Sequence, residues 1–204
     1  MNRKEEIILT SLKLASQDGL GSVSMSRIAE KIGIRKPSLY NHFKSKEEII
    51  SAMYKYLRDK SKEQLSLADI DYGEFIKGKS LEDVLFQSVS NYRSISAEDK
   101  MFAFYKVIYS ERAINPTAAK IMAEETKRMV LATKNLFYTL QVHKKICVDD
   151  IDIAAVSFAM TVHAIMDFQL DCLCAGEVPP KDMIQNYIKW FCGQYGGKNE
   201  ENTD

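Results

Sequence analysis

Between residues 24 and 46 the chain carries six cations, Arg27, Lys31, Arg35, Lys36, Lys44 and Lys46, against one acid, Glu30. Among them stand Ser24, Ser26, Pro37, Ser38, Tyr40, Asn41 and His42. These types suit DNA: Arg and Lys reach guanine edges or phosphates, Asn pairs with adenine, and Ser and Tyr hydroxyls donate to phosphate oxygens. Catalytic patterns do not appear: there is no glycine-rich phosphate loop, no G-x-S-x-G elbow and no H-E-x-x-H. An enzyme reading therefore has no positive support. His163 with Asp167, and His143 with Cys147, stand four apart and could each share a helix face. Two ligands without a third fall short of a metal site, and a buried, hydrogen-bonded His is the simpler reading. No metal and no cofactor are expected.

Side chains that read DNA need short, firmly seated helices. Ile28, Ala29 and Ile32 lie on one face of a helix that starts at Ser24 and stops at Gly33. A second begins near Arg35 with Pro37 in its first turn, where the missing N–H costs little. Ile34, Leu39 and Phe43 seat that second helix and turn Arg35, Lys36, Ser38, Asn41 and His42 outward, with Tyr40 and Lys46 nearby. The spacing is that of a helix-turn-helix. Ala29 permits a close helix crossing, and Gly33 supplies a backbone conformation that a Cβ penalises. Ser24 caps its helix and leaves an N-terminus that welcomes phosphate.

The flanking segments read as helices too. Ile7, Ile8, Leu12 and Ala15 mark a first helix ending at Gly19 to Gly21, and Ser45-Lys46-Glu47-Glu48 is a capping-box pattern opening a long one with Ile49, Ile50, Met53 and Leu57 inward. Residues 68–79 read as a polar connector. Ser80-x-x-Asp83 and Ser96-x-x-Asp99 repeat the start signal, and Asn115-Pro116 opens a helix that runs to about His143. Further helices start near Asp149 and after Pro179-Pro180. No alternating strand pattern appears. The expected class is all-α, with nine or so helices: residues 1–50 a three-helix DNA-binding domain, 51–196 a larger helical domain, and 197–204 a disordered tail.

Composition narrows the rest. The 204 residues hold 28 basic and 28 acidic side chains, yet residues 1–62 hold 13 against 7 and residues 63–204 hold 15 against 21. A basic N-terminal third on a neutral chain suits a partner with phosphates, because a ligand meets the local field. No apolar run approaches the ~18 residues of a membrane span, and the charged start leads into no signal-peptide core. A cytoplasmic chain without membrane contact is expected, and Cys147, Cys172, Cys174 and Cys192 then read as reduced core thiols.

Ile28-Ala29 with Gly33, Ser38-Leu39-Tyr40-Asn41-His42-Phe43, and Ser45-Lys46-Glu47 together resemble the DNA-binding signature of the TetR family of transcriptional regulators. The match covers about residues 5–52, and the all-helical remainder near this length agrees with it. Pro37 is a mild departure, since small residues such as Gly are also common there. The resemblance implies that Arg35, Lys36, Pro37, Ser38, Tyr40, Asn41 and His42 form the recognition helix and its flank. It implies phosphate contacts from Ser24, Ser26 and Arg27 at the preceding helix start, and from Lys46 at the opening of the fourth helix. The alternative for Tyr40 and His42 is packing and capping within the small domain.

The remainder carries no matching motif. A single helix-turn-helix makes few contacts, so binding to a palindromic operator calls for a homodimer. Ala154, Ala155, Ala159 and Ala164 alternate with Ile151, Phe158, Val162 and Ile165, and Met183, Ile184, Tyr187, Ile188, Trp190 and Phe191 make a broad apolar face. The resemblance implies that these last two helices pair across a dimer; their alternative is an internal core. It also implies a small-molecule effector site, with Met101, Phe104, Tyr105, Tyr109, Met122, Met129, Phe137 and His163 as candidate contacts. Core packing is the alternative there as well. The expected function is a ligand-responsive regulator, a repressor released from its operator by an effector; the alternatives are a constitutive DNA-binding protein and a helical enzyme.

Overall fold

The computed structural model describes residues 2–65, 71–97 and 99–197, which form ten α-helices and one 3-10 turn. Helix α1 (Arg3–Asp18) opens with a capping box, in which the Asn2 side chain accepts from the Glu5 N–H and the Glu5 carboxylate accepts from the Asn2 N–H. It ends at Gly19, whose φ of 75° no Cβ would favour. A 3-10 turn (Leu20–Ser22) leads to α2 (Met25–Ile32), α3 (Lys36–Tyr40) and α4 (Lys46–Leu65). There follow α5 (Tyr72–Ile76), α6 (Leu81–Ala97), α7 (Asp99–Glu111), α8 (Pro116–Val142), α9 (Ile151–Ala175) and α10 (Met183–Tyr195).

The chain packs as two units, residues 1–69 with 93–125 and residues 70–92 with 126–204. In the first, Ile7, Ile8, Leu12 and Ala15 of α1 meet Ile28 and Ala29 of α2, Leu39 of α3, and Ile49, Ile50, Met53 and Leu57 of α4. Met101, Phe104, Val107 and Ile108 of α7 and Ile121 and Met122 of α8 complete that core. In the second unit, Val84, Leu85, Leu136, Phe137, Leu140, Ala155, Phe158, Val162, Ile188 and Phe191 are buried together. Phe158 lies edge-on to Phe191 at 5.1 Å and stacked on Tyr187 at 5.6 Å between centroids, favourable arrangements for aromatic pairs.

Several expectations change. The polar connector contains α5, capped by Asp71 accepting from the Glu74 N–H, because Ile76 has a core to enter; its residues 68–70 lie outside the described part. The start signal at Ser96 includes Glu98, also outside it, as is the tail from residue 198. Cys172 is core, but Cys147 and Cys174 are exposed, so the reading of all four thiols as core is corrected. Burial pushes the half-buried Cys192 thiol up to about 11. Helix α9 does contain an 18-residue window with mean hydropathy 1.5 and no more than two charges, of which 22% is buried. Ser157, Thr161, His163 and Asp167 divide its apolar sequence into short runs. Ile146 and Gly196 pair as an isolated bridge, and the Cys147 N–H donates to the Tyr195 carbonyl at 2.8 Å.

A candidate nucleic-acid interface

Helix α2 is defined at both ends. The Ser24 hydroxyl accepts from the Arg27 N–H at 3.2 Å, worth about 1 kcal/mol. At the other end Gly33 adopts φ 76°, and the Ile34 N–H reaches back to the Ala29 carbonyl at 3.0 Å. This left-handed cap turns the chain sharply enough to start α3 three residues later. Arg35 precedes α3 as its cap, and Pro37 occupies the first turn. Leu39 alone anchors this five-residue helix by full burial, with Phe43 buried just beyond it and Ile34 packed at its start.

One buried residue in a five-residue helix leaves the others outside. Arg35, Lys36, Pro37, Ser38, Tyr40 and Asn41 are all exposed, and His42 is half-buried. Among the described residues, the side chains of Arg35, Lys36, Ser38 and Asn41 make no hydrogen bond or ion pair. Tyr40 is 38% exposed, so the packing alternative for it recedes while that for His42 keeps a partial basis. Ser24 and Ser26 are exposed on α2.

Two cations assigned to phosphates have partners already. Arg27 Nη2 donates to Asp18 Oδ2 at 2.5 Å and Arg27 Nη1 to Ser22 Oγ at 3.2 Å. Lys46 Nζ donates to the Leu20 carbonyl at 2.5 Å. Together they brace the 3-10 turn from α2 and from α4. At the start of α4, the Glu48 N–H donates to Ser45 Oγ at 3.2 Å, while the Glu48 carboxylate accepts from the Lys44 N–H rather than from Ser45. The box is therefore half formed. Glu47 beside it is held below the usual carboxylate range, first by its own backbone N–H and then by the Ser45 hydroxyl. Asp18, Leu20 and Ser22 went unnoticed in the sequence because their partners are set by the fold rather than by a local pattern.

The candidate effector residues divide. Met101, Phe104 and Met122 are buried in the first unit, with Tyr105 and Tyr109 packed against them. In that unit the Tyr54 and Tyr105 hydroxyls donate to Glu125, a buried carboxylate; the Tyr105 bond is 2.6 Å. Phe137 belongs to the core of the second unit, where Met129 and His163 are half-buried. His163 Nδ1 stands 3.9 Å from Asp167. Among the described residues, no three His, Cys, Asp or Glu side chains gather to hold a metal.

The stripe assigned to pairing is likewise divided. Ala155, Phe158, Ala159, Val162, Ile165, Ile184, Ile188 and Phe191 are buried within the unit. The water-facing stripe of α9 consists instead of Ile153, Val156, Met160, Ala164 and Phe168, and Met183 and Trp190 stay exposed on α10.

Residues 7–53 match the family model of bacterial regulatory proteins, tetR family. The class C tetracycline repressor protein of Escherichia coli is 30% identical over 79 residues, 38% of this chain and 36% of that protein. The chain spans about a third or less of the length of the curated relatives it matches. Its fold resembles that of the flavonoid-responsive regulator FrrA, with TM-score 0.68, 19% identity and coverage of 96% and 98% of the two chains. It also resembles SmeT in a triclosan complex, with TM-score 0.69, 13% identity and coverage of 96% and 92%. Residues 7–53 of this all-α chain are thus a helix-turn-helix domain of the tetR family of bacterial regulatory proteins.

Proposed function

We propose that the protein is a ligand-responsive repressor that binds a palindromic DNA operator as a homodimer and is released by a small-molecule effector. The observation that carries this reading is the row Arg35, Lys36, Ser38 and Asn41, exposed and without side-chain partners among the described residues, about a helix seated by Leu39. Polar side chains held ready at one face, with no internal use, suit base edges and phosphates. Residues 1–50 serve as the reading head, with Ser24, Ser26 and Lys46 beside the phosphates, Arg27 held at their edge by Asp18, and Pro37, Tyr40 and His42 flanking the base contacts. Residues 51–196 sense and pair, and the protein works in the cytoplasm.

The homodimer forms through α9 and α10, whose exposed Ile153, Val156, Met160, Phe168, Met183 and Trp190 suit a four-helix packing with a second copy. The effector is an apolar or aromatic small molecule, with Met101, Phe104, Tyr105, Tyr109 and Met122 of the first unit as its candidate contacts. A flavonoid-responsive regulator and a triclosan complex among the similar folds support that class. A constitutive DNA-binding protein is the second reading, favoured by the close burial of Met101, Phe104 and Met122 with the helices of the reading head. A gel shift on the DNA flanking its own gene, titrated with lipophilic compounds, separates the two. Release by a compound supports the first reading; binding that no compound weakens supports the second. A chain that leaves this DNA unbound at moderate salt removes both.

A further inference from the structure

Helix α1 ends on an acid. Its first turn carries Glu5 and Glu6, the sign the helix dipole favours there, but its last residue is Asp18 and no base stands in the last turn. A carboxylate at a helix C-terminus meets the negative end of the dipole. The sequence therefore accepts a local penalty at Asp18, and such conflicts collect where a residue has another task. In the structure Asp18 Oδ2 receives Arg27 Nη2 at 2.5 Å, while the other guanidinium nitrogen donates to Ser22 Oγ at 3.2 Å. The ion pair is open to water on both sides, with 40% of the Arg27 side chain and 44% of the Asp18 side chain exposed.

Arg27 is the cation nearest the start of α2, where Ser24 presents the helix N-terminus. Its neighbours on the outer face, Lys31, Arg35 and Lys36, have no ion-pair partner among the described residues. Arg27 alone in that group is neutralised by a carboxylate of the same domain. We propose that Asp18 sets the strength of sequence-independent DNA binding: it withholds the Arg27 guanidinium from phosphate, and so lowers affinity for DNA of any sequence while leaving base contacts on α3 untouched. Affinity for generic DNA rises with each phosphate neutralised, and discrimination is the ratio of specific to generic binding. The inference rests on the reading of residues 1–50 as a DNA-binding domain.

The test uses the full chain and a random-sequence duplex, with affinity measured by fluorescence anisotropy over a salt series. Asp18→Asn keeps the shape and removes the charge, and circular dichroism should find α1 no less stable. The expected result is five- to tenfold tighter binding at 0.1 M salt and a salt slope steeper by about 1, the share of one phosphate contact. Arg27→Gln alone should keep the slope of the unmodified protein, and the double variant should lose the gain. Unchanged or weaker binding by Asp18→Asn overturns the proposal, as does a gain that survives in the double variant. Absence of duplex binding by the unmodified protein overturns instead the DNA-binding reading on which it stands.

Discussion

Lys46 and Leu20 are 26 residues apart, and the Lys46 ammonium donates to the Leu20 carbonyl at 2.5 Å. The contact ties the start of α4 to the turn between α1 and α2, so the two ends of the reading head are held by a residue also assigned to phosphate. An ammonium has three donors, and one carbonyl leaves two for an anion. Lys46→Ala should therefore weaken binding to all duplexes about equally, lower the salt slope by about 1, and destabilise the fold by about 1 kcal/mol. Salt-dependent anisotropy and thermal unfolding measure the two effects separately. A lower slope with an unchanged unfolding midpoint would mean that the Leu20 contact carries no stability.

Lys36 and Asn41 have no such second role. Alanine at either position should leave stability within about 0.5 kcal/mol of the original and cost about 1–3 kcal/mol at one base position of the operator. Selection of bound sequences from a random pool should relax at that position. If Lys36→Ala acts like Lys46→Ala, lowering affinity evenly across sequences, the division between reading and gripping is wrong.

Gly33 and Gly197 should respond differently to alanine. A Cβ on Gly33 meets nothing within 4 Å, so the cost is that of φ 76° alone, about 1 kcal/mol. A Cβ on Gly197 would lie 2.1 Å from the Lys144 carbonyl oxygen, where the Gly197 N–H also donates to Lys145 at 3.0 Å. Gly197→Ala must therefore displace the backbone bridge, and hydrogen exchange at Cys147 and Gly197 should accelerate while that of α1 to α3 stays slow.

Met160 lies in the exposed stripe of α9. Met160→Glu should leave the helical content unchanged and shift sedimentation from dimer to monomer over the micromolar range. A variant that remains dimeric would place the interface on another face.

The four thiols give a chemical readout of the second unit. Cys192, with its thiol raised to about 11, holds little thiolate at pH 8, and Cys172 is buried. Iodoacetamide at pH 8 should label Cys147 and Cys174 within minutes, and the other two only after unfolding. Peptide mass spectrometry reads the order directly.

How much of this was written in the chain differs from residue to residue. Ser24, Gly33, Ser45 and Asn115 act on neighbours two to four positions away, and their caps stand where the spacing put them. Leu39 and Phe43 are buried as the periodicity required. Asp18 with Arg27, and Lys46 with Leu20, join elements that meet only after folding, so no spacing announces them. On α9 the alanines gave an ambiguous signal: Ala155 and Ala159 turn inward while Ala164 turns to water. A helix apolar on both faces has no periodic contrast to read. The same loss of contrast hides α5, whose single strong anchor is Ile76.

That double-sided helix has a consequence for the handling of the protein itself. With the pairing proposed for α9 and α10, a stripe from Ile153 to Phe168 turned to water makes dilution a stress on the chain, for what a second copy would cover at high concentration is bare at low concentration. The unfolding midpoint should climb with protein concentration, as mass action requires when folding and pairing are linked. On that proposal cellular abundance acts as a structural variable: below some number of copies, the chain would lose shelter as well as its partner.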